Sequence, residues 1–223
     1  MADKTSRRST ISVDFVPLIA AAGDLLVRLI AVPGSRQRAL PSRAVGPGES
    51  LQAAATKAVR AAGAPRAGWL EQVGAFGEEL RHPDDASLSV AYVGAFPEPF
   101  DALDDEGGGW VPVARLPALA PRHRAMVEAA VETVRHQLDV APVAFHFLPA
   151  EFTLSELQQV YETVLGRPLH KASFRRALNA ADLVAPTSEW RSEGRGRPAQ
   201  LFRYHPRKRR RAKRGVRFEL ASA

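Results

Sequence analysis

The stretch from Phe152 to Tyr204 constrains this chain most, because it spells a series of elements in a fixed order. Phe152-Thr153-Leu154-Ser155-Glu156-Leu157 carries an N-terminal capping box, with Thr153 and Glu156 spaced to satisfy each other's backbone donors. Leu154, Leu157, Val160, Tyr161 and Val164 follow at helical spacing, and Gly166-Arg167-Pro168 ends that helix. A second helix is predicted from about His170 to Ala181, with Phe174, Ala177, Leu178 and Ala181 on one face. Lys171, Arg175 and Asn179 line the face turned away from that stripe. Leu183-Val184-Ala185, a Gly/Pro/Arg-rich loop and the alternating run Ala199 to Tyr204 then read as a two-stranded β-wing. Helix, turn, basic helix and basic hairpin together describe a winged helix-turn-helix.

Charge separates this stretch from the rest. Residues 151–223 hold 16 Lys/Arg and 7 Asp/Glu, a net of +9, whereas the whole 223-residue chain is +7, which leaves −2 on residues 1–150. A basic end on a slightly acidic body is expected to meet phosphates while the body does something else. The composition, 45% hydrophobic and 25% charged, is that of a globular protein with no apolar run long enough to span a bilayer. Zero cysteines exclude disulfides and thiolate zinc sites, and the cytoplasm is the expected compartment.

Residues 1–10 read as a flexible basic arm. Ile11 to Val16, Leu18 to Ala22 and Asp24 to Ile30 read as strands, and Pro33 to Arg43 as a loop holding Ala39-Leu40-Pro41. Ser50 to Ala62 has Leu51, Ala54, Ala55, Ala58, Val59 and Ala62 at helical spacing, a thin helix suited to close packing on a sheet. Trp69 to Phe76 and Leu88 to Phe96 read as strands, Pro97 to Gly109 as an acidic loop, and Pro121 to Leu138 as a helix. Phe145 to Leu148 connects to the winged helix, with His146 in an alternating strand. Strands interleaved with helices predict an α+β chain: an α/β/α sandwich over residues 11–148, a DNA-binding domain over 149–206, and a basic tail over 207–223.

Gly48-Glu49-Ser50-Leu51, preceded by Leu40-Pro41 and followed by a helix, resembles the Nudix box of nucleoside-diphosphate-linked hydrolases. That box is Gly, five residues, Glu, seven residues, then Arg-Glu-U-x-Glu-Glu-x-Gly-U, with U aliphatic. Its first Gly falls on Arg43, its first Glu on Glu49, its Arg on Lys57, its three helix glutamates on Ala58, Ala61 and Ala62, and its final Gly-U on Ala64 and Pro65. Only the Gly48-Glu49 pair and Val59 survive. Hydrolysis in that family needs divalent cations held by helix carboxylates, and three alanines supply none. A catalytically dead Nudix-like domain without a metal is therefore expected.

Trp69 to Gly77, Arg81-His82-Pro83 and Ser87 to Tyr92 are similar to the ADP-ribose-recognising Nudix branch from which the NrtR-type regulators derive. Phe152 to Gln158, Val160-Tyr161-Glu162, Leu165-Gly166-Arg167, Phe174-Arg175-Arg176 and Arg197-Pro198-Ala199 match the winged helix that those regulators carry. His170 and Ser173 depart from the Asp and Asn expected there, which points to a different operator preference. The resemblance, over roughly residues 11 to 205, implies a dimeric repressor of double-stranded DNA, often at NAD-metabolism genes, with ADP-ribose or a related nucleotide as effector and no cofactor. The competing readings are a Nudix hydrolase of nucleoside diphosphate derivatives and a ligand-independent DNA-binding dimer.

The expected DNA contacts are Lys171, Ser173, Arg175 and Arg176 on the recognition helix, Arg195 and Arg197 at the wing tip, and Arg207, Lys208 and Arg209 in the tail. Arg43, Glu49 and Arg81 are the expected ligand contacts. Arg43 either crowds a pyrophosphate or supplies it a charge, and Glu49 either caps the helix beginning near Ser50 or marks the old metal site, with capping favoured. His82 and His123 are expected as hydrogen-bonded structural residues, with a ligand pocket as the alternative.

Overall fold

The structure, a computed structural model, describes residues 10–64, 68–77, 80–97, 108–192 and 198–205. The basic arm, the wing-tip residues Arg195 and Arg197, and the tail residues Arg207, Lys208 and Arg209 lie outside the described residues. One compact unit takes its described residues from 1–17, 27–94 and 100–130, and the other from 18–26, 95–99 and 131–223.

Strands β1 (Ile11–Ala21) and β2 (Asp24–Ala31) open the fold as a hairpin. Its two turn residues, Ala22 and Gly23, have φ of 50° and 83°. Positive φ at both central positions is the backbone twist that suits a two-residue hairpin, and Gly23 supplies it without a steric cost. The expected break at Pro17 does not occur: β1 runs straight through that buried proline. Within the expected Pro33–Arg43 loop the chain makes two short strands, β3 (Arg38–Ala39) and β4 (Ser42–Ala44). With β5 (Trp69–Phe76), β6 (Leu88–Phe96) and β7 (Gly109–Pro112) they complete a seven-stranded sheet. Its order is β3-β2-β1-β6-β5, with β4 paired to β1 and β7 to β2.

Residues Ser12 to Ile19 of β1 and Ser89 to Phe96 of β6 are buried without interruption, so both faces of these central strands are covered. Helix α1 (Leu51–Ala61) turns Ala54, Ala55, Ala58 and Val59 inward. Small side chains let its backbone lie close to β4, on which it packs. Helix α2 (Pro121–Val140) buries Met126, Val127, Val131, Val134 and Leu138. No helix among the described residues is long and apolar enough to cross a membrane.

The second unit contains helices α3 (Leu154–Leu165) and α4 (Lys171–Ala181) and strands β8 (Val184–Arg191) and β9 (Ala199–Tyr204). His146 lies in a 3-10 turn over Val143–Phe147, not in a strand, because Pro142 starts a tight turn where the alternation suggested extension. Both halves of the capping box form: Glu156 N–H donates to Thr153 Oγ1 at 3.1 Å, and Thr153 N–H donates to Glu156 Oε2 at 2.6 Å. The turn after α3 is fixed by Glu162, whose Oε1 accepts from Leu169 N–H at 2.8 Å and from Gln158 Nε2 at 2.9 Å. Phe174 stands edge-on to Tyr161 with ring centroids 5.6 Å apart, and both rings are buried. The wing is tied to the segment before α3 by reciprocal backbone bonds between Phe152 and Phe202, at 2.9 and 2.8 Å. Arg191 reinforces that tie from β8, donating to Glu156 Oε1 at 2.6 Å and to the Glu151 carbonyl at 3.3 Å.

Candidate nucleic-acid interface and effector site

The two faces of α4 separate by chemistry. Phe174 and Leu178 are buried, Ala177 and Ala181 half-buried, and this stripe seats the helix. Lys171, Ser173, Arg176 and Asn179 are exposed, and Arg175 is half-buried. None of the four expected contact residues on this helix is used up in the core. His170 stands at the N-cap with its ring 3.3 Å from Ser173 Oγ, making no side-chain bond to the helix backbone.

In the first unit, three positions of the degenerate box close on one another. Arg43 Nη1 donates to both oxygens of Glu49 at 2.8 and 2.9 Å, Lys57 Nζ lies 2.7 Å from Oε1, and Gly46 N–H donates to Oε2 at 3.0 Å. The expectation that Glu49 caps α1 is corrected here. Ser50 is the N-cap, its hydroxyl accepting from Ala53 N–H at 3.2 Å, and the Glu49 side chain turns back to the loop that precedes it. The hydroxyl reaches the helix donor over a shorter arm, which frees Glu49 for the two cations. Arg81 is exposed and, among the described residues, no hydrogen bond or ion pair joins its side chain to Arg43 or Glu49. Its carbonyl accepts from Arg122 N–H at 3.3 Å.

The Lys57 hydrogen bond, followed by those from Gly46 and Arg43, holds the Glu49 carboxyl down at about 2, against 4.5 ordinarily. A depressed carboxyl stabilises the fold above its unfolded value and loses that contribution as pH falls through its folded one. The melting temperature of the native protein is therefore expected to fall between pH 4.5 and about 2 more steeply than that of Glu49→Gln. Thermal melts of both across that window, at low and high salt, measure the difference.

Sequence reasoning missed a buried polar network in the same unit. His82 Nε2 and His123 Nε2 lie 2.7 and 3.0 Å from Asp14 Oδ1, and all three side chains are fully buried. Each ring accepts a backbone N–H at its other nitrogen: Asp84 N–H at His82 Nδ1 (3.0 Å) and Leu40 N–H at His123 Nδ1 (3.1 Å). Each ring therefore turns its Nε2–H toward Asp14. Ser12 donates to Asp14 Oδ2 at 2.8 Å. Having one proton, it must receive the 2.8 Å bond from Ser89, whose oxygen accepts from Arg122 Nη1 at 3.1 Å. A relay of hydroxyls thus joins the buried Arg122 guanidinium to the buried Asp14 carboxylate. Burial pushes the Asp14 carboxyl up, but the hydrogen bonds from His123 and then His82 outweigh it and hold the group well below the usual range.

Asp14, His82 and His123 are the group among the described residues whose atoms lie close enough to share a metal ion. The donor set does not fit one. A metal-bound histidine offers a bare nitrogen to the ion and donates from the other, whereas both rings here accept at the outer nitrogen and carry the proton inward. The cluster is structural, as expected for His82 and His123. Its one sequence signal was a polar pair, Ser12 and Asp14, inside an otherwise apolar strand.

Comparison with known proteins bears on the fold that carries these residues. Residues 144–204 match the NrtR DNA-binding winged helix domain. The crystal structure of Shewanella oneidensis NrtR complexed with a 27mer DNA superposes with a TM-score of 0.77, at 29% identity, covering 93% of this chain and 98% of that one. Residues 144–204 thus carry an NrtR-type winged helix, and the chain is similar to NrtR over nearly all of its length. Among curated proteins, the ADPR responsive transcriptional repressor NtrR of Acinetobacter baylyi is 31% identical over 143 residues, which is 61% of this chain and 56% of the relative. The chain thus spans little more than half the length of that curated relative. A MutT/nudix family protein from Enterococcus faecalis shares the fold at 19% identity, with a TM-score of 0.69 over 90% of this chain and 89% of that one. The α/β/α sandwich joined to a C-terminal winged helix is accordingly the NrtR architecture, and α3, α4, β8 and β9 all fall inside the matched winged-helix segment.

Proposed function

We propose that this protein is a sequence-specific transcriptional regulator that binds double-stranded DNA as a homodimer, in the cytoplasm. Residues 149–206 are its DNA-binding domain, and residues 11–148 a non-catalytic domain sensing ADP-ribose or a related nucleotide. The carrying observation is α4. Lys171, Ser173, Arg175 and Arg176 lie outside the buried stripe of a helix that belongs to a DNA-binding winged-helix segment. Arginine and lysine on such a helix can contact guanine edges in the major groove, while Arg195 and Arg197 at the wing tip and Arg207, Lys208 and Arg209 beyond it would meet the backbone.

Two observations support a sensor over a hydrolase. The box glutamate is engaged by Arg43 and Lys57, and among the described residues no group of three acidic or imidazole side chains converges on it. No magnesium-dependent turnover of ADP-ribose is expected; turnover that disappears in Glu49→Gln would restore the hydrolase reading. The name of the Acinetobacter relative supports ADP-ribose as effector, and a homodimer suits a DNA site built of two half-sites.

The direct test is to map bound sites genome-wide, then titrate a recovered operator by fluorescence anisotropy with and without ADP-ribose. Operator affinity is expected to change with ADP-ribose, and an unchanged affinity would leave only the ligand-independent dimer. Arg175→Ala is expected to weaken operator binding by roughly 1–3 kcal/mol while leaving the thermal melt in place. An unaltered affinity in that variant would show that α4 does not read the bases.

A further inference from the structure

Glu49 sits in a set of donors that suits an anion better tied to function than itself. Its carboxylate receives two bonds from Arg43, one from Lys57 and one from the Gly46 amide, all between 2.7 and 3.0 Å. A planar guanidinium, an ammonium and a backbone N–H from a glycine-containing loop are the groups with which proteins hold phosphates. The loop Gly46-Pro47-Gly48 leads straight into α1, whose N-terminal end carries partial positive charge. Gly48 has φ of 71°, a conformation that favours glycine, and nothing lies within 4 Å of where a Cβ would stand. Both cations can be reached from solvent, with side-chain exposures of 31% for Arg43 and 59% for Lys57.

We propose that Arg43, Lys57 and the Gly46 amide form a metal-free site for the diphosphate of a nucleotide ligand, and that Glu49 occupies it as an internal counter-ion until the ligand displaces it. This rests on the reading that the first unit senses such a nucleotide. In an active Nudix enzyme, divalent cations bridge carboxylates and pyrophosphate; here the lost carboxylates and the two cations on the remaining one invert that arrangement. With Glu49 in place the three side chains sum to one positive charge. When the carboxylate swings out to water they present two, which matches a diphosphate. The Glu49 side chain is 10% exposed beside its more open cations, so the exchange puts a diphosphate on the same donors while the freed carboxylate gains water.

Calorimetric titration of the full chain with ADP-ribose and with inorganic pyrophosphate, in EDTA and in magnesium, tests the site. ADP-ribose affinity is expected to be the same in both buffers and to fall as salt rises. Glu49→Gln, checked for folding by its thermal melt, is expected to bind about tenfold more tightly, and Arg43→Ala or Lys57→Ala about tenfold more weakly, the scale of one charged hydrogen bond. ADP-ribose binding that requires magnesium, or that Glu49→Gln leaves unchanged or weaker, would overturn the internal counter-ion while the sensor reading stood. Pyrophosphate binding in EDTA without ADP-ribose binding would keep the anion site and sink the nucleotide reading. Should Glu49→Gln not fold, the comparison of EDTA with magnesium on the native chain still decides.

Discussion

Asp14→Ala is expected to destabilise the first unit by about 3–5 kcal/mol, the range for removing one partner from a buried ion network. The carboxylate accepts from His82, His123 and Ser12, so its loss strands two imidazole N–H groups and turns the Ser12 hydroxyl toward nothing. Each stranded donor costs roughly 1–3 kcal/mol. Arg122 also loses the negative charge to which the Ser89–Ser12 relay connects it, although its bonds to the Leu80 and Ala86 carbonyls, at 2.7 and 2.6 Å, remain. The imidazoles cannot compensate by turning over, because each outer nitrogen already faces a backbone N–H. Urea unfolding followed by circular dichroism measures the loss. Asp14→Asn, which keeps one acceptor oxygen, should fall between the native protein and Asp14→Ala. A change below 1 kcal/mol in the alanine variant would mean that water replaces the carboxylate and that the network carries little of the unit's stability.

Phe174→Ala is expected to cost about 3–5 kcal/mol, the usual range for truncating a buried phenylalanine. The ring is 1% exposed and meets Tyr161 edge-on at 5.6 Å, and it is the largest side chain that α4 buries. A helix of 11 residues does not hold its shape in water by propensity alone, so α4 depends on this packing. Loss of operator binding should therefore accompany a loss of cooperative unfolding in the second unit. The adjacent Arg175→Ala separates the two roles, since it should lose affinity and keep the melt. If Phe174→Ala unfolded normally but failed to bind, the ring would have to be part of the DNA surface, contrary to its burial.

These two cases show where sequence reading reached and where it stopped. The capping box at Thr153 and Glu156, the buried stripe of α3 and the exposed face of α4 were legible because each depends on residues within one or two helical turns. The Nudix-like unit was legible chiefly through the degenerate box, whose alanines said more than its surviving glutamate. Asp14 was not legible: alternation assigns a polar residue in a strand to solvent, and that rule fails where both faces of the strand are covered. The partners of Glu49 failed for a related reason. Arg43 comes from a strand and Lys57 from the second turn of α1, and only the closing of β4 against that helix brings them together. Pro17 and Pro186 were expected to interrupt extension, yet both lie within strands, so the first wing strand continues to Arg191.

The alanine face of α1 bears on what the glutamates of an intact Nudix box would meet in this chain. Ala58 and Ala62 are 2% and 7% exposed. A glutamate restored at either position would arrive in a space packed for a methyl group and would be desolvated there before any cation reached it. The one carboxylate that remains is already neutralised by Arg43 and Lys57, so it would not help to gather an ion. Packing thus closes two of the three box positions to a carboxylate, while the third, Ala61, is exposed. Close packing at Ala58 and Ala62 therefore holds the inner face of this helix to small side chains, whatever the unit binds.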